Sequence, residues 1–116
     1  MFRMKFLIVE DNAEMRRLIV KIVCQASDAI FECEDGAQAL LAYREHLPDW
    51  VLMDVAMPET DGISATRQIL AVFPDARIAI VTGHNDKHLR KEAQTAGAIA
   101  YILKENLPEL RRLLAH

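Results

Sequence analysis

The sequence lacks the patterns that mark several classes of protein. No apolar run approaches the roughly 18 residues of a membrane-spanning helix. The first apolar run, Phe6 to Val9, is ended by Glu10 and Asp11 too early for a signal peptide. A net charge of −3 gives no basic surface of the kind that binds nucleic acid. We therefore expect a protein that neither enters a membrane nor binds nucleic acid directly.

Cysteine is also scarce, and glycine and proline are few. The two cysteines, Cys24 and Cys33, lack the spacing of a metal site and lie in apolar segments, which is typical of reduced, buried thiols in a cytoplasmic protein. No repeat or low-complexity segment divides the chain. With 116 residues, 52% of them hydrophobic, the chain is long enough for one domain with its own core and too short for two. We therefore predict one domain, residues 1–116.

Short apolar runs alternate with helical patterns along the whole chain. Apolar residues three and four positions apart predict five helices, and the runs between them predict five strands. The strands are expected at 6–9, 29–33, 50–54, 78–82 and 98–103. This alternation is typical of βαβ units. For five strands it favours an α/β fold, a flavodoxin-like doubly wound (βα)5 sandwich with a parallel sheet in the order 2-1-3-4-5.

Some of the helices carry predictions about their faces and ends. In the first helix one face is apolar, and Arg16 and Arg17 lie off that face. The apolar face consists of Met15, Leu18, Ile19, Ile22 and Val23. The third helix is predicted over 62–73. The fourth is predicted from His84 to Ala96, with Gly97 at its C-cap, and its thin apolar face indicates that few contacts hold it in place.

The stretch from Val51 to Gly62 is the most informative part of the sequence. An apolar strand ends there on Asp54, and Pro58 and Gly62 mark the loop that follows. In the order 2-1-3-4-5, strands 1 and 3 are neighbours, so Glu10 and Asp11 at the end of strand 1 should lie near Asp54. Thr82 and Lys104, which end strands 4 and 5, should lie on the same edge of the sheet.

Three carboxylates at one edge repel one another. At about 5–6 Å and an effective dielectric constant of about 20, each pair costs about 3 kcal/mol. Such a cluster raises a pKa, binds a cation, or does both. An all-oxygen site favours Mg²⁺, and Lys104 supplies a compact charge that could hold a phosphoryl oxygen. With the Thr82 hydroxyl, this set suits acyl-phosphate chemistry in which Asp54 is the nucleophile.

These residues resemble the receiver domain of two-component response regulators, and the resemblance covers essentially the whole chain. Its marks are Glu10-Asp11, Asp54 with Met57-Pro58 and Asp61-Gly62, Thr82-Gly83, and Tyr101 three residues before Lys104. The resemblance implies that Asp54 accepts a phosphoryl group from a sensor histidine kinase, a phosphotransfer protein or a small phosphodonor. It implies that Asp11, Asp54 and the backbone carbonyl of Ala56 bind Mg²⁺, while Glu10 acts through a metal-bound water.

The resemblance also implies a switch. Thr82 would move toward the phosphoryl group and Tyr101 would follow, which would change the face formed by helix 4, strand 5 and helix 5. That face would control an output domain or a downstream protein, and it is where a homodimer would form. The sequence leaves open whether the output belongs to a longer chain or to a separate partner.

Several positions depart from the pattern of the family. Glu105 stands where most receivers have proline, so we expect a trans peptide bond or a different loop after Lys104. Gly83 replaces the commoner alanine, which gives the loop after Thr82 more freedom. The small Ala56 is expected to leave the acyl phosphate open to hydrolysis.

Other interpretations of the same residues stay open at this point. Asp11 and Asn12 are residue types that cap helices, and Lys104 can lie at a strand end with its charge in water. The alternative function is an interaction module that docks partners without phosphorylation, although three repelling carboxylates argue against it. A flavin or nucleotide domain lacks support, because no glycine-rich loop follows the first strand.

Overall fold

A five-stranded parallel sheet forms the centre of the protein. The computed structural model describes residues 4–55 and 61–114. The strands are β1 (Lys5–Val9), β2 (Ala29–Cys33), β3 (Trp50–Met53), β4 (Ile78–Thr82) and β5 (Ala100–Leu103). Their order across the sheet is β2-β1-β3-β4-β5, and each pairing is parallel. The predicted flavodoxin-like α/β fold is confirmed.

Helices cover both faces of the sheet. They are α1 (Ala13–Val23), α2 (Ala39–His46), α3 (Gly62–Val72), α4 (Lys87–Ala96) and α5 (Leu107–Leu114), with short 3-10 turns at Gly36–Gln38 and Lys104–Asn106. The buried residues of α1 and α5 pack on one face of the sheet, and those of α2, α3 and α4 pack on the other. Within the described residues, no helix is long and apolar enough to cross a membrane.

The strands divide their side chains between two cores. In β1, Phe6 and Ile8 join the core under α1 and α5, whereas Leu7 and Val9 join the core under the other three helices. The middle strand β3 divides its residues in the same way. Because both sides of these strands are buried, they appear in the sequence as unbroken apolar runs.

The fourth helix begins later than the sequence predicts. α4 begins at Lys87 rather than at His84. The reason is a cap: the side chain of Asp86 accepts hydrogen bonds from the backbone N–H groups of His88 and Leu89. The residues before Asp86 are therefore left to form the loop that leaves β4.

Four other boundaries shift by one or two residues. β1 begins at Lys5 and β3 ends at Met53, each one residue from the predicted bound. α3 ends at Val72, one residue before the predicted end. β5 begins at Ala100, because the N–H of Ala98 still bonds to the carbonyl of Ala93 and completes the end of α4. Gly97 adopts the left-handed conformation, with φ of 106°, at the predicted C-cap.

One residue of the apolar face predicted for α1 is not buried. Leu18 is 41% exposed, whereas Ile19 and Val23 are buried against the sheet. Of the described helices, only α1 and α5 occupy this face, so α1 has a helical neighbour on one side only. The buried stripe of α1 is therefore narrower than the sequence pattern predicts.

The chain returns to the sheet edge through a close contact at Gly62. The N–H of Gly62 donates a hydrogen bond to the carbonyl of Val55 at 2.9 Å. A Cβ atom at position 62 would overlap the carbonyl oxygen of Asp54. The start of α3 therefore lies against the backbone of Asp54, and only glycine allows that approach.

We predict that Gly62→Ala destabilises the protein by about 2 kcal/mol or more, because the backbone at Asp54 has to move to admit the methyl group. Gly83→Ala is the matched control, since a Cβ atom there meets no atom within 4 Å of the described structure. Its effect should stay within about 0.5 kcal/mol. Urea unfolding measures both variants, and equal stability of the two would contradict the close contact.

Candidate functional site

The ends of four parallel strands bring polar side chains to one edge of the sheet. Glu10 follows β1, Asp54 follows β3, Thr82 ends β4 and Lys104 follows β5. Glu10, Asp54 and Thr82 are 1%, 5% and 0% exposed, so ionisable and polar groups here are as buried as the apolar core. Buried carboxylates are rare unless they have partners, which marks this edge as the candidate site.

Three carboxylates meet at this edge. One oxygen atom each from Glu10, Asp11 and Asp54 lies within 4.8 Å of the others. Glu10 and Asp54 are buried, whereas Asp11 is exposed, so the group opens to solvent on the side of Asp11. Ala56, the fourth residue assigned to Mg²⁺ from the resemblance, lies outside the described residues, as do Met57 and Pro58.

Lys104 is the cation that faces this group. Its Nζ lies 2.8 Å from Glu10 Oε1 and 3.4 Å from Asp54 Oδ1, and the side chain is 22% exposed. The lysine is therefore closer to Glu10 than to Asp54. One positive charge offsets part of the repulsion between three carboxylates and leaves the site with a net negative charge.

Backbone groups fix the direction of the two buried carboxylates. The N–H of Asn12 donates to Glu10 Oε2 at 3.1 Å, and the N–H of Val55 donates to Asp54 Oδ1 at 2.9 Å. The backbone N–H of Asp54 also donates to the carbonyl of Val9 at 2.9 Å, which ties the end of β3 to β1. The carboxylates are thus held by backbone groups of the segments that follow β1 and β3, and not by side-chain contacts alone.

Burial raises the pKa of both buried carboxyl groups. For Asp54 the main cause is desolvation, which the charge and hydrogen bond of Lys104 only partly offset. For Glu10 the main cause is again desolvation, opposed by Lys104 and by the N–H of Asn12 and reinforced by Asp54. The pKa of Lys104 is raised too, because Glu10 and Asp54 together outweigh the desolvation that alone would lower it. All three groups therefore hold a proton more tightly than usual, which shows that the site favours additional positive charge.

These residues fit a hard divalent cation. The donors are all oxygen atoms, they converge within 4.8 Å, and one side is open to solvent. Mg²⁺ prefers one or two carboxylates and keeps several waters, so two of the three carboxylates could bind it directly and the third through a bound water. Glu10, Asp11 and Asp54 are the described residues that would hold it.

Thr82 and Tyr101 meet at the loop after β4. Thr82 Oγ1 accepts a hydrogen bond from the N–H of His84 at 3.2 Å, and the Tyr101 hydroxyl donates to the carbonyl of His84 at 2.6 Å. The guanidinium of Arg90 lies 4.5 Å from the centre of the Tyr101 ring, and its Nη1 donates to the Tyr101 carbonyl at 3.4 Å. Tyr101 therefore links β5 to α4 and to the loop that follows Thr82.

The loop after Lys104 differs from a cis-proline turn. The described residues contain no cis peptide bond, so the trans bond expected before Glu105 is confirmed. A 3-10 turn at Lys104–Asn106 leads directly into α5. Glu105 is exposed, so solvent and salt screen its charge from the buried carboxylates.

The sequence pattern gives no sign of one side chain at this edge and leaves the role of another open. The helical pattern puts Arg16 off the apolar face of α1, yet its side chain is only 14% exposed and its Nη1 donates to the carbonyl of Glu10 at 2.7 Å. Helical periodicity gives no signal for such a contact. Asn12 is the residue that caps α1, since its Oδ1 accepts from the N–H of Met15. Asp11 is therefore not needed as the cap.

Known proteins share this fold. The sequence matches the family described as the response regulator receiver domain over residues 6–115. The chain belongs to this family. Receiver domains are phosphorylation-controlled signalling modules of two-component systems, which typically bind Mg²⁺ at an acidic pocket and interact with histidine kinases, phosphotransfer proteins or output domains.

Individual relatives support the assignment. The chemotaxis protein CheY of Bacillus subtilis is 40% identical over 101 residues, which cover 86% of this chain and 84% of the relative. A second Bacillus subtilis relative, the uncharacterized transcriptional regulatory protein YhcZ, is 37% identical over 91% of this chain and 50% of its own length. A solved two-component response regulator of the LuxR family from Aurantimonas sp. SI85-9A1 has a TM-score of 0.89 and 32% identity, with coverage of 98% of this receiver chain and 84% of the solved chain.

We predict that Asp54→Asn stabilises the metal-free receiver at pH 7 by on the order of 1 kcal/mol, because it removes one buried charge while Lys104 keeps Glu10 as its partner. A carboxyl group with a raised pKa stabilises the folded state most below its ordinary pKa, and that contribution is lost as the pH rises through the raised value. The advantage of the variant should therefore shrink as the pH falls from 7 toward 4.

Thermal unfolding in chelator between pH 4 and pH 8 measures this advantage. Asp75→Asn, which removes an exposed charge in the turn after α3, is the matched control and should change stability by less than about 0.5 kcal/mol. A lower midpoint for Asp54→Asn than for the native chain at pH 7 would contradict the account of the carboxylate group.

Proposed function

We propose that this receiver is a switch in which Asp54 accepts the phosphoryl group. The observation that carries the proposal is the position of its carboxylate, which is buried at the end of β3, 3.4 Å from Lys104 and grouped with oxygens of Glu10 and Asp11. A module that only docked partners would bear the cost of burying repelling carboxylates without using them. A phosphoryl acceptor uses both the nucleophile and the surrounding charges.

The transfer forms one bond and breaks another. The Val55 N–H and the Lys104 ammonium both approach Oδ1 of Asp54, so we infer that Oδ2 attacks the phosphorus atom. An O–P bond forms, and the P–N bond of a phosphohistidine or the P–O bond of a small acyl phosphate breaks. The leaving imidazole takes a proton from solvent, whereas a carboxylate leaving group departs as the anion.

The neighbouring side chains would stabilise the transferred group. Mg²⁺ held by Glu10, Asp11 and Asp54 would supply positive charge that neutralises the phosphoryl oxygens. Lys104 would turn from Glu10 to a phosphoryl oxygen, and its 22% exposed side chain leaves room for that movement. The Thr82 hydroxyl would donate a hydrogen bond to another of these oxygens.

Hydrolysis would reset the switch. A water molecule attacks phosphorus, the O–P bond to Asp54 breaks, and inorganic phosphate leaves with release of a proton to solvent. The domain would therefore catalyse both its own phosphorylation and its own dephosphorylation. It acts as a signalling module and not as a metabolic enzyme.

The signal would reach the outer face through the loop after β4. The N–H of His84 donates a hydrogen bond to Thr82 Oγ1. Movement of Thr82 toward the phosphoryl group would therefore pull on His84. Tyr101 holds the carbonyl of the same residue, so the movement would be passed to β5 and α4. α4 buries little besides Ala93, with Leu89 and Ala96 half-buried, so few contacts resist its displacement.

The expected partners follow from this arrangement. A histidine kinase or a phosphotransfer protein would present the phosphohistidine at the edge beside Asp54. An output domain or a separate downstream protein would respond to the face of α4, β5 and α5, where a homodimer would also form. The relatives include both CheY proteins and longer transcriptional regulators, so both kinds of output stay in the proposal.

We predict that acetyl phosphate with Mg²⁺ adds one phosphoryl group, about 80 Da, to the native chain, because Asp54 is the nucleophile of an acyl-phosphate site. Asp54→Asn should show no adduct, and chelator should prevent it in the native chain. Asp75→Asn should be modified like the native chain. Intact mass spectrometry measures all of these outcomes.

The adduct should be lost in neutral hydroxylamine, as expected of an acyl phosphate. A folded native chain that accepts no phosphoryl group from acetyl phosphate or from a panel of histidine kinases would support the interaction module that works without phosphorylation. An adduct that persists in Asp54→Asn would place the acceptor elsewhere.

We predict that Lys104→Gln slows phosphorylation by acetyl phosphate by about 100-fold at saturating Mg²⁺, since it removes a charge aimed at the transferring group. Lys21→Gln, which removes an exposed lysine from α1, is the control and should react within about twofold of the native chain. The rate is measured by quenched mass spectrometry. Equal rates in the two variants would remove Lys104 from the reaction.

A further inference from the structure

Arg16 contacts the carboxylate edge without belonging to it. It lies in the first half of α1, and its side chain is 14% exposed, which is unusual for a charged residue. Its Nη1 donates to the backbone carbonyl of Glu10 at 2.7 Å, and its Nε lies 2.9 Å from Glu32 Oε1 on β2. We propose that Arg16 is a positioning residue that holds the Glu10–Asp11 segment, and with it two of the three carboxylates, in place for a cation.

With the contact to Arg16, every polar group of Glu10 has a partner. The N–H of Glu10 donates to the carbonyl of Cys33 at 3.0 Å, and its Oε2 accepts from the N–H of Asn12. Lys104 holds Oε1. Arg16 bonds the carbonyl, the one remaining polar group of the residue. Loss of the guanidinium would leave this part-buried carbonyl without its charged donor and free the turn between β1 and α1 to move.

The geometry needs arginine and not merely a positive charge. Nε and Nη1 lie in one rigid plane and reach two acceptors at once, a carboxylate on β2 and a carbonyl at the end of β1. Lysine has a single charged nitrogen on a flexible chain and cannot reproduce this planar fork. Glu32 lies beside Ile8 in the register of the two strands, so the ion pair anchors the guanidinium to the sheet.

The consequence for the site is geometric. A metal site needs its ligands within about 0.5 Å of their working positions. Removal of a group that positions a ligand commonly weakens metal binding by about 10- to 100-fold. The hydrogen bonds of Arg16 go to Glu32 and to the carbonyl of Glu10, and not to the oxygens of the three carboxylates. Arg16 instead fixes the backbone that carries two of these carboxylates. This inference rests on the proposed function, because the affected ligand is the cation of the phosphorylation site.

The test compares Arg16→Met with Arg17→Met. Both variants remove one arginine from adjacent positions of α1, but Arg17 is exposed. The first readout needs no metal: it is amide hydrogen exchange at Glu10 and Asn12 in chelator. Arg16→Met should reduce protection at these two amides by about tenfold more than Arg17→Met does, after correction for any change in global stability.

The second readout is the Mg²⁺ dissociation constant, measured by isothermal titration calorimetry. Arg16→Met should raise it about tenfold, Arg16→Lys should raise it by a smaller factor, and Arg17→Met should leave it within about twofold. If Arg16→Met does not fold, Arg16→Lys and Glu32→Gln carry the same comparison. Each retains one part of the contact and should show the same directions of change.

The outcomes separate this inference from the proposed function. Variants of Arg16 that lose global stability but keep the native amide protection pattern and the native Mg²⁺ affinity would overturn the positioning role. A native chain that binds no Mg²⁺ would contradict the proposed function. The exchange at Glu10 and Asn12 would then still decide whether Arg16 holds the segment.

Discussion

The pairing of Lys104 with Glu10 and Asp54, at an edge where a third carboxylate also lies, is the interaction on which the site depends. At separations of 4.8 Å or less and an effective dielectric constant of about 20, each pair of carboxylates repels by about 3.5 kcal/mol or more. Desolvation also raises the pKa of both buried groups. One lysine at 2.8 Å and 3.4 Å reduces this cost without removing it. The fold thus maintains a site that is more stable with additional positive charge, which is what cation binding and phosphoryl transfer require.

The rest of the structure holds the charges in this arrangement. The order of the strands places the ends of β1 and β3 side by side, and their apolar residues are buried on both faces. Backbone N–H groups just after β1 and β3 orient the buried carboxylates, and Gly62 lets α3 approach the backbone of Asp54. On the far side, the hydrogen bonds of Tyr101 and Thr82 to His84 connect this edge to the α4 surface. The core, the carboxylate site and the α4 surface are therefore connected through the backbone at the strand ends and at His84.

The sequence predicted the order of the strands and the meeting of Glu10, Asp11, Asp54 and Lys104, because apolar runs and the topology of parallel sheets determine where strands end. It did not predict the start of α4, where an Asp86 cap outweighs the helical pattern from His84. Nor did it predict the exposure of Leu18 or the burial of Arg16, which depend on how α1 sits beside α5 and β2. Such contacts join distant parts of the chain, and residue spacing carries no signal for them.

The most direct test of the central claim is the thermal unfolding midpoint of the native chain in Mg²⁺ compared with potassium chloride of the same ionic strength. If the carboxylates form a site that needs a cation, a Mg²⁺ concentration 100 times the dissociation constant should add about 2.7 kcal/mol of stability. The midpoint should rise by several degrees in Mg²⁺ beyond any rise in the monovalent salt. Equal midpoints in the two salts, measured on a folded chain in about 20 mM Mg²⁺, would contradict the account.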